Sequence, residues 1–534
     1  MKLYFYGADQ CVTGSCHCLE VNGKRILVDC GLQQGRDEVS NAEFPFAANA
    51  IDHVLITHAH IDHSGRLPML FKQGFRGQTL TTRLTADLLR IMLLDSAHIQ
   101  EQDAEWKNRK ALRSGGAKVE PLYTVNDAIA TCDHLTTCEY NQKIDLCEGV
   151  QVEFIDAGHL LGSASIIVTA TENGVAKTIV FSGDLGNIEQ PIIRDPTPVA
   201  GADYVVMEST YGDRNHAEIW SYTDELAEII DKTIARGGNV IIPAFAVGRT
   251  QELLYFMREI KDAGLVKSNP DFPVYIDSPL AKKATTIFVG DLRGYLDEAA
   301  LELVRDGTHM FNFTNLRMTE TGEESKQLNM DTTPKVIISA SGMCDAGRIR
   351  HHLKHNLWRS ESTVVFVGYQ GEGTLGRSLL EGAKSVKLFG EQIAVNAEIV
   401  NFRGLSSHAD RDHLLAWIKG FKAPKPQHVF VVHGDREVAP FFAKSVEQIG
   451  FTAHAPQYTE VYDLLTDTVL EPGYLPERKT KAGGVKTSAA YERLVAVGEM
   501  LMASIRRSKG RDNKSIARFA DQLRVLLDKW ENQQ

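Results

Sequence analysis

Apolar positions in the first 210 residues fall in short runs, each closed by a Gly, Asp, Ser or His. They include KLYFYGA (2–8), RILVDCG (25–31), HVLITHA (53–59), QVEFIDAG (151–158), SIIVTAT (165–171), TIVFSGD (178–184) and YVVMEST (204–210). Rich in β-branched and aromatic residues, such runs predict buried strands. Most polar residues capable of chemistry sit at the C-terminal ends of these strands, where layered α/β proteins bind ligands. From about 213 to 385 the texture changes: NVIIPAF (239–245) is followed by a helical stretch at 250–260, and then by PVYIDSP (273–279), KVIISAS (335–341) and TVVFVGY (363–369). Strand–helix alternation predicts a parallel sheet with helices on both faces. AEIVNFRG (397–404) and HVFVVHG (428–434) return to the first texture, so the middle block reads as an insertion. Beyond about 474, Leu494, Val497, Leu501 and Ile505 fall at helical spacing, as do Ile516, Phe519, Leu523, Leu526 and Trp530. With Gly510 between them, they predict a helical hairpin behind a Gly/Lys-rich segment at 478–488. No internal repeat is found.

Composition narrows the class. A chain of 534 residues, 43% hydrophobic and 24% charged, fits a soluble globular protein of two domains or more. No run of 18 apolar residues suggests a membrane span, and MKLYFYGADQ lacks a basic segment followed by an apolar one, so the expected location is the cytoplasm. The 8 cysteines are too sparse for a disulfide framework. Cys16-His17-Cys18 raises the question of zinc, but no second pair follows at finger spacing, and an alternating strand is the preferred reading. A net charge of −11 argues against indiscriminate nucleic-acid binding but leaves room for a local basic groove. From Arg478 to Lys529, 13 Lys/Arg face 5 Asp/Glu; that net of +8 leaves −19 for the rest.

The strongest chemical signal is Thr57-His58-Ala59-His60-Ile61-Asp62-His63-Ser64-Gly65, directly after a strand. So many imidazoles and a carboxylate on one loop need a compensating charge, which divalent metals supply. His159, Asp184 and His433 recur at other strand ends. Alone, each reads as a cap; the repeated topological position makes them candidate ligands.

These residues resemble the β-CASP branch of the metallo-β-lactamase superfamily. His58, His60, Asp62 and His63 match the HxHxDH signature, Asp29 in VDCG matches the acidic residue closing an earlier strand, and His159 and Asp184 match the next two motifs. Glu208 in VMESTYGDR, His408 in LSSHADRD and His433 in VVHGD resemble the further motifs of that branch, whose members process nucleic acids. The likeness covers about residues 1–470. Within the branch the chain is most similar to the RNA-cleaving group related to the cleavage subunit of mRNA 3′-end processing, where a histidine at the last motif accompanies RNA and DNA-repair members usually carry valine. The resemblance implies an α/β fold: a metallo-β-lactamase αββα sandwich (1–212 and 386–474), an inserted β-CASP domain (213–385) and a basic helical tail (475–534).

It also implies two Zn²⁺ per chain, with Mn²⁺ an alternative because no thiolate enforces zinc. One ion falls to His58, His60 and His159, the other to Asp62, His63 and His433. Asp184 bridges them around a water or hydroxide, and Asp29 orients a ligand histidine. Asp62 and Asp184 thereby join His408 and Glu208 as catalytic residues, His408 as general acid and Glu208 as the carboxylate that raises its pKa.

The middle block carries candidate RNA contacts: Arg249 at a helix start, Ser341, Gly342 and Met343 with Arg348, and Gly373, Thr374 and Arg377 in a Gly-rich turn. His351, His352 and His355 read as a helix face or groove wall rather than a metal site. The tail has two readings, an RNA-holding or homodimerising element and a solubilising helical pair. The expected substrate is single-stranded RNA, cut in endonucleolytic or 5′–3′ exonucleolytic mode. The alternatives are a β-CASP DNA nuclease and a small-molecule metallohydrolase resembling a thioesterase or lactamase.

Overall fold

A computed structural model describes the chain except residues 35–38, 115, 217–220, 372, 403–404, 477–500, 502–504, 506–512 and 532–534. Two sheets face each other. The first has eight strands in the spatial order 468–471, 461–463, 2–5, 17–21, 24–28, 53–55, 78–82 and 135–138. The second has seven: 453–454, 428–431, 204–207, 175–181, 164–172, 150–156 and 143–147. Alternation decides what lies between them: Leu3, Phe5, Ile26 and Val28 of the first sheet meet Phe154, Ile166, Val168 and Phe430 of the second in one buried cluster. The opposite faces are covered by helices. Leu67 and Leu70 (helix Leu67–Lys72) and Leu84, Leu88 and Leu93 (helix Arg83–Ser114) pack on Leu27, Val54 and Ile56. Leu414 and Ile418 (Arg411–Lys419) and Phe442 and Val446 (Val438–Gln448) pack on Val180, Val205 and Val429. The result is an αββα sandwich.

The middle block forms a separate six-stranded sheet in the order 316–318, 274–276, 336–339, 240–243, 363–366 and 398–401, with every neighbouring pair parallel. Its central strands are buried throughout, as a parallel sheet covered on both faces requires. The pattern of AEIVNFRG assigns it to the first domain, but the structure puts Glu398–Asn401 at the edge of the middle sheet, beside Thr363–Phe366. An edge strand is half-exposed, so its apolar signal matches that of a sandwich strand. Strand Tyr204–Met207 then pairs with His428–Val431, closing the sandwich across the whole insertion.

Residues 1–478 form one compact unit and 479–534 another. In the second unit, Asn513–Glu531 is helical, as expected. Of the residues expected in the other tail helix, Leu494 and Val497 lie outside the described ones. No helix among the described residues is long and apolar enough to cross a membrane.

Candidate metal centre

Four loops at strand ends meet at one place between the sandwich and the middle sheet. After strand His53–Leu55, the chain turns through His58 and His60 into a single helical turn, Ile61–Ser64, which presents Asp62 and His63. His159 follows strand Val150–Asp156, Asp184 follows Val175–Phe181 and His433 follows His428–Val431. Gly183, at φ +57, lets the backbone pass the Thr57 side chain, where a Cβ would sit 2.9 Å from the threonine's own. Asp29 and His433 adopt left-handed backbone with φ 63 and 49, strain held in place by the surrounding loops.

Two donor clusters result. His58 Nε2 and His159 Nε2 stand 3.1 and 3.2 Å from His60 Nδ1. His63 Nε2 stands 3.1 Å from His433 Nε2, which is 3.6 Å from Asp62 Oδ2. Asp184 lies between them. Its Oδ2 is 3.4 Å from His58 Nε2 and 3.5 Å from His159 Nε2, and its Oδ1 is 3.2 Å from His63 Nε2. Ligands about 2.0–2.1 Å from a tetrahedral ion lie about 3.3 Å apart, which is the spacing seen.

Outward nitrogens are tied down so that the inward ones keep their lone pairs. Asp29 accepts from His63 Nδ1 at 2.7 Å and from Thr57 Oγ1 at 2.9 Å, and Thr57 Oγ1 lies 3.1 Å from His58 Nδ1. His159 Nδ1 donates to the Ser407 carbonyl at 3.1 Å, and Thr210 Oγ1 lies 3.1 Å from His433 Nδ1. Fixing the tautomer from behind is how a protein aims imidazole at a metal. Burial holds His58 and His159 well below the ordinary histidine pKa. Burial also pulls His63 down, but the carboxylates of Asp184 and Asp29 outweigh it and raise it well above that value. Imidazole nitrogens face one another within 3.1–3.2 Å, and the buried Asp184 Oδ1 has no hydrogen-bond partner among the described residues. The donor set fits a divalent cation.

Beside the bridge, Glu208 is fully buried and accepts from the Leu185 amide at 2.7 Å and the Thr210 amide at 3.2 Å. Its two oxygens lie 3.1 and 3.2 Å from His408 Nδ1. Burial lowers the His408 pKa, but Glu208 and then Asp184 outweigh it and push it up to about 9. His216 Nε2 is 2.9 Å from the His408 carbonyl, and the Tyr211 ring stands over His216 at 4.6 Å.

The Metallo-beta-lactamase superfamily domain matches residues 18–184, the Beta-Casp domain 250–379, and the Zn-dependent metallo-hydrolase RNA specificity domain 392–456. Ribonuclease TTHA0252 of Thermus thermophilus is 37% identical over 438 residues, 82% of this chain and 94% of that protein. The chain belongs to the β-CASP branch of the metallo-β-lactamase superfamily. The RNase J-like protein of Methanocaldococcus jannaschii is 30% identical, covering 83% of this chain and 95% of that one. Transcription termination factor FttA of Methanosarcina mazei is 32% identical over 81% of this chain and 66% of its own length.

All seven β-CASP ligand candidates thus converge, with Asp29, Glu208 and His408 around them. The proposed RNA contacts are placed less simply. Arg249 is buried in an ion pair with Glu252, and Arg348 donates to Asp277 Oδ1 at 2.6 Å and to the Glu320 carbonyl at 2.7 Å. Arg377 pairs with Glu381 at 2.6 Å. Gly342 and Met343 are tied to the residues flanking the Gly-rich turn of Gly373 and Thr374, Gln370 Nε2 donating to the Gly342 carbonyl and the Gly376 amide to that of Met343, while Ser341 bonds within its own loop to Ala346.

Sequence reasoning missed Thr210, Ser407 and Phe245. Thr210 lies two positions after Glu208, and extended residues two apart share a face, so that signal was available. Phe245 is 39% exposed with its ring 6.5 Å from that of His60, and only the fold brings them together. His17, from the Cys-His-Cys run, lines a cavity of about 20 Å³ behind His63 and His433, and burial holds it down to about 3. Cys16 and Cys18 are ordinary core residues.

Proposed function

We propose that this chain is a metal-dependent ribonuclease that hydrolyses phosphodiester bonds of single-stranded RNA. The observation that carries the reading is the split carboxylate of Asp184, one oxygen facing each histidine cluster, with the Glu208–His408 pair alongside. In this reading two ions are held, one by His58, His60 and His159, the other by Asp62, His63 and His433. The nitrogen-rich donors favour zinc, and the lack of thiolate leaves manganese suited as well. When bound, the ions supply a water of lowered pKa and neutralise charge on the phosphate.

The chain's own residues do the rest. Glu208 takes the Nδ1 proton of His408 in a hydrogen bond, leaving Nε2 to hand a proton to the departing ribose oxygen. The Glu208 carboxylate at 3.1 Å raises the His408 pKa and so favours the protonated ring at neutral pH. Asp29, Thr57, Thr210 and the Ser407 carbonyl keep the ligand rings aimed. Phe245, beside His60, forms an apolar wall of the site. The middle block, taken as 213–385 and extended by strand Glu398–Asn401, carries Phe245, and the loop at 341–347 backs that ring through Gly342. The RNA substrate is supported by the RNA-specificity family match and by relatives named ribonuclease and RNase J-like.

The test is cleavage of 5′-labelled RNA and of DNA of the same sequence by protein of known metal content, beside an Asp62→Ala/His63→Ala variant. RNA cleavage that disappears in the variant is expected, and the fragment ladder reports endo- or exonucleolytic mode. No RNA cleavage by protein holding two ions overturns the reading.

A further inference from the structure

We infer that Phe389, on the outer surface of the middle domain, is a stacking platform for a base of the bound strand at a distance from the metal centre; this rests on the ribonuclease reading above. Strands Ser385–Leu388 and Glu391–Ala394 form a hairpin that joins no other sheet among the described residues. Its inner face is anchored: Val386 and Leu388 pack with Ile349, Leu353 and Leu357. Leu388 faces Glu391, so the loop is Phe389-Gly390, with φ 50 and 90. Two positive φ values in a two-residue loop are those of a type I′ turn, whose first position favours Asn, Asp or Gly. A bulky aromatic there is a backbone outlier, and such strain, where it persists, directs attention to function.

The ring does not retreat into the core to offset that strain. It is 48% exposed. One side is stacked on His351 at 4.3 Å between centroids and 20° between planes, and the Arg350 guanidinium lies 5.1 Å from its centre. The remaining area is presented to solvent.

The charge around it favours an anion. Three nearby acids are matched, Glu391 by Lys354 at 2.6 Å, Glu398 by Arg236 at 2.7 Å and Glu381 by Arg377 at 2.6 Å, while Asp345 accepts from the Leu375 amide at 3.2 Å and faces Arg350, which donates to its carbonyl. Arg350, Lys384 and Lys387 have no ion pair with an acid among the described residues, and Lys387 projects on the outer face of the hairpin. In a chain of net charge −11 this is a local surplus of cations beside an exposed aromatic face. Together they are the elements of sequence-tolerant binding to a single strand: rings for bases and cations for phosphates. A double helix keeps its bases stacked on each other and offers none to such a ring.

The platform is also tied to the active site. Arg350 and His351 open the helix that follows loop 341–348, in which Gly342 lies so close to Phe245 that a Cβ would meet the ring at 3.0 Å. Phe245 in turn neighbours His60. A strand held at Phe389 is therefore anchored on the segment that walls the metal centre.

The experiment measures fluorescence anisotropy of a labelled single-stranded phosphorothioate RNA of about 16 nucleotides with full-length, metal-loaded protein. Phe389→Asn suits the turn and removes the ring; Phe389→Leu keeps apolar bulk without a π face; Phe389→Trp restores one. A stacked base contributes about 1–3 kcal/mol, so Asn and Leu should each weaken binding about 5- to 150-fold, while Trp restores it. The melting temperature of Phe389→Asn should equal or exceed that of the native protein, showing that the loss is not unfolding. Native affinity retained within twofold by Phe389→Asn, or by Phe389→Leu alone, overturns the platform and leaves Phe389 as a hairpin contact. If native protein binds no RNA at all, the ribonuclease reading falls and the platform with it.

Discussion

Two buried clusters of histidine and aspartate lie at the ends of strands in this protein, and they are built on opposite principles. At the metal centre, nitrogens face nitrogens and Asp184 Oδ1 has no hydrogen-bond partner among the described residues. In the middle sheet, Asp277 is fully buried but saturated: it accepts from Arg348 at 2.6 Å, His352 at 2.6 Å, Ser325 at 2.5 Å and the Thr319 hydroxyl. His352 is fixed on its other side by Asn329 at 2.9 Å. The second cluster is complete without a ligand; the first is incomplete until cations enter. Residue type alone does not separate a metal site from a structural network. The matching of donors to acceptors does.

The largest expected effect comes from asking the same of both carboxylates. Asp184→Asn should lower RNA turnover by about 10³-fold or more and reduce bound metal, because several kcal/mol of charge stabilisation is lost. Asp277→Asn should leave turnover per correctly folded molecule nearly unchanged. Turnover and metal content, measured side by side, break the comparison if the two variants behave alike.

Next is His408→Ala, expected to reduce kcat by about 10²- to 10⁴-fold with metal content intact, the range for a lost general acid. Its pH dependence has a definite sign. The folded pKa of His408 is raised, so the acid form is present at neutral pH and is lost as pH rises. Cations on Asp184 cancel part of the push, placing the alkaline limb of kcat at or below about 9. Glu208→Gln should move that limb to lower pH; an unmoved limb would remove Glu208 from the role.

For the saturated cluster the effect is on stability. Removing one partner of a buried pair costs about 3–5 kcal/mol, so Arg348→Met should lower the denaturation midpoint without changing kcat. Burial raises the Asp277 carboxyl, but its hydrogen bonds outweigh this and hold it well below the ordinary range. Its contribution is therefore present above about pH 3.9, the unfolded value, and is lost as pH falls through the folded one. Asp277→Asn should flatten that acid limb.

The smallest effect sharpens the metal side. Thr210→Val removes the hydroxyl behind His433 and should weaken metal binding about 10- to 100-fold, read by chelator competition.

How much of this was legible in the sequence depends on range. His58, His60, Asp62 and His63 could be read directly because they share one loop. His159, Asp184 and His433 were legible because each ends an apolar run, and strand ends are where such a fold gathers its chemistry. The αββα layering and the parallel middle sheet followed from the same runs. Partner choice was not legible. Arg249, Arg348 and Arg377 looked like phosphate ligands because a sequence shows a cation beside glycines and not the carboxylate that the fold brings to it. Glu252 and Glu381 lie one helical turn away, so those two pairs could have been suspected. Asp277, 71 residues from Arg348, could not. The misplaced strand at 398–401 has the same origin, since edge strands of different sheets carry similar patterns.

The insertion has a consequence for how the protein is made. Six of the seven ligand candidates have been synthesised by residue 184, but the last, His433, follows the entire middle sheet, and strand Tyr204–Met207 waits for His428–Val431 to pair with. A ribosome must therefore add more than 200 residues after Met207 before the sandwich can close. Through that interval a growing chain holds six of the seven candidate ligands but neither His408 nor His433, and the cluster around Asp184 stays open until both arrive.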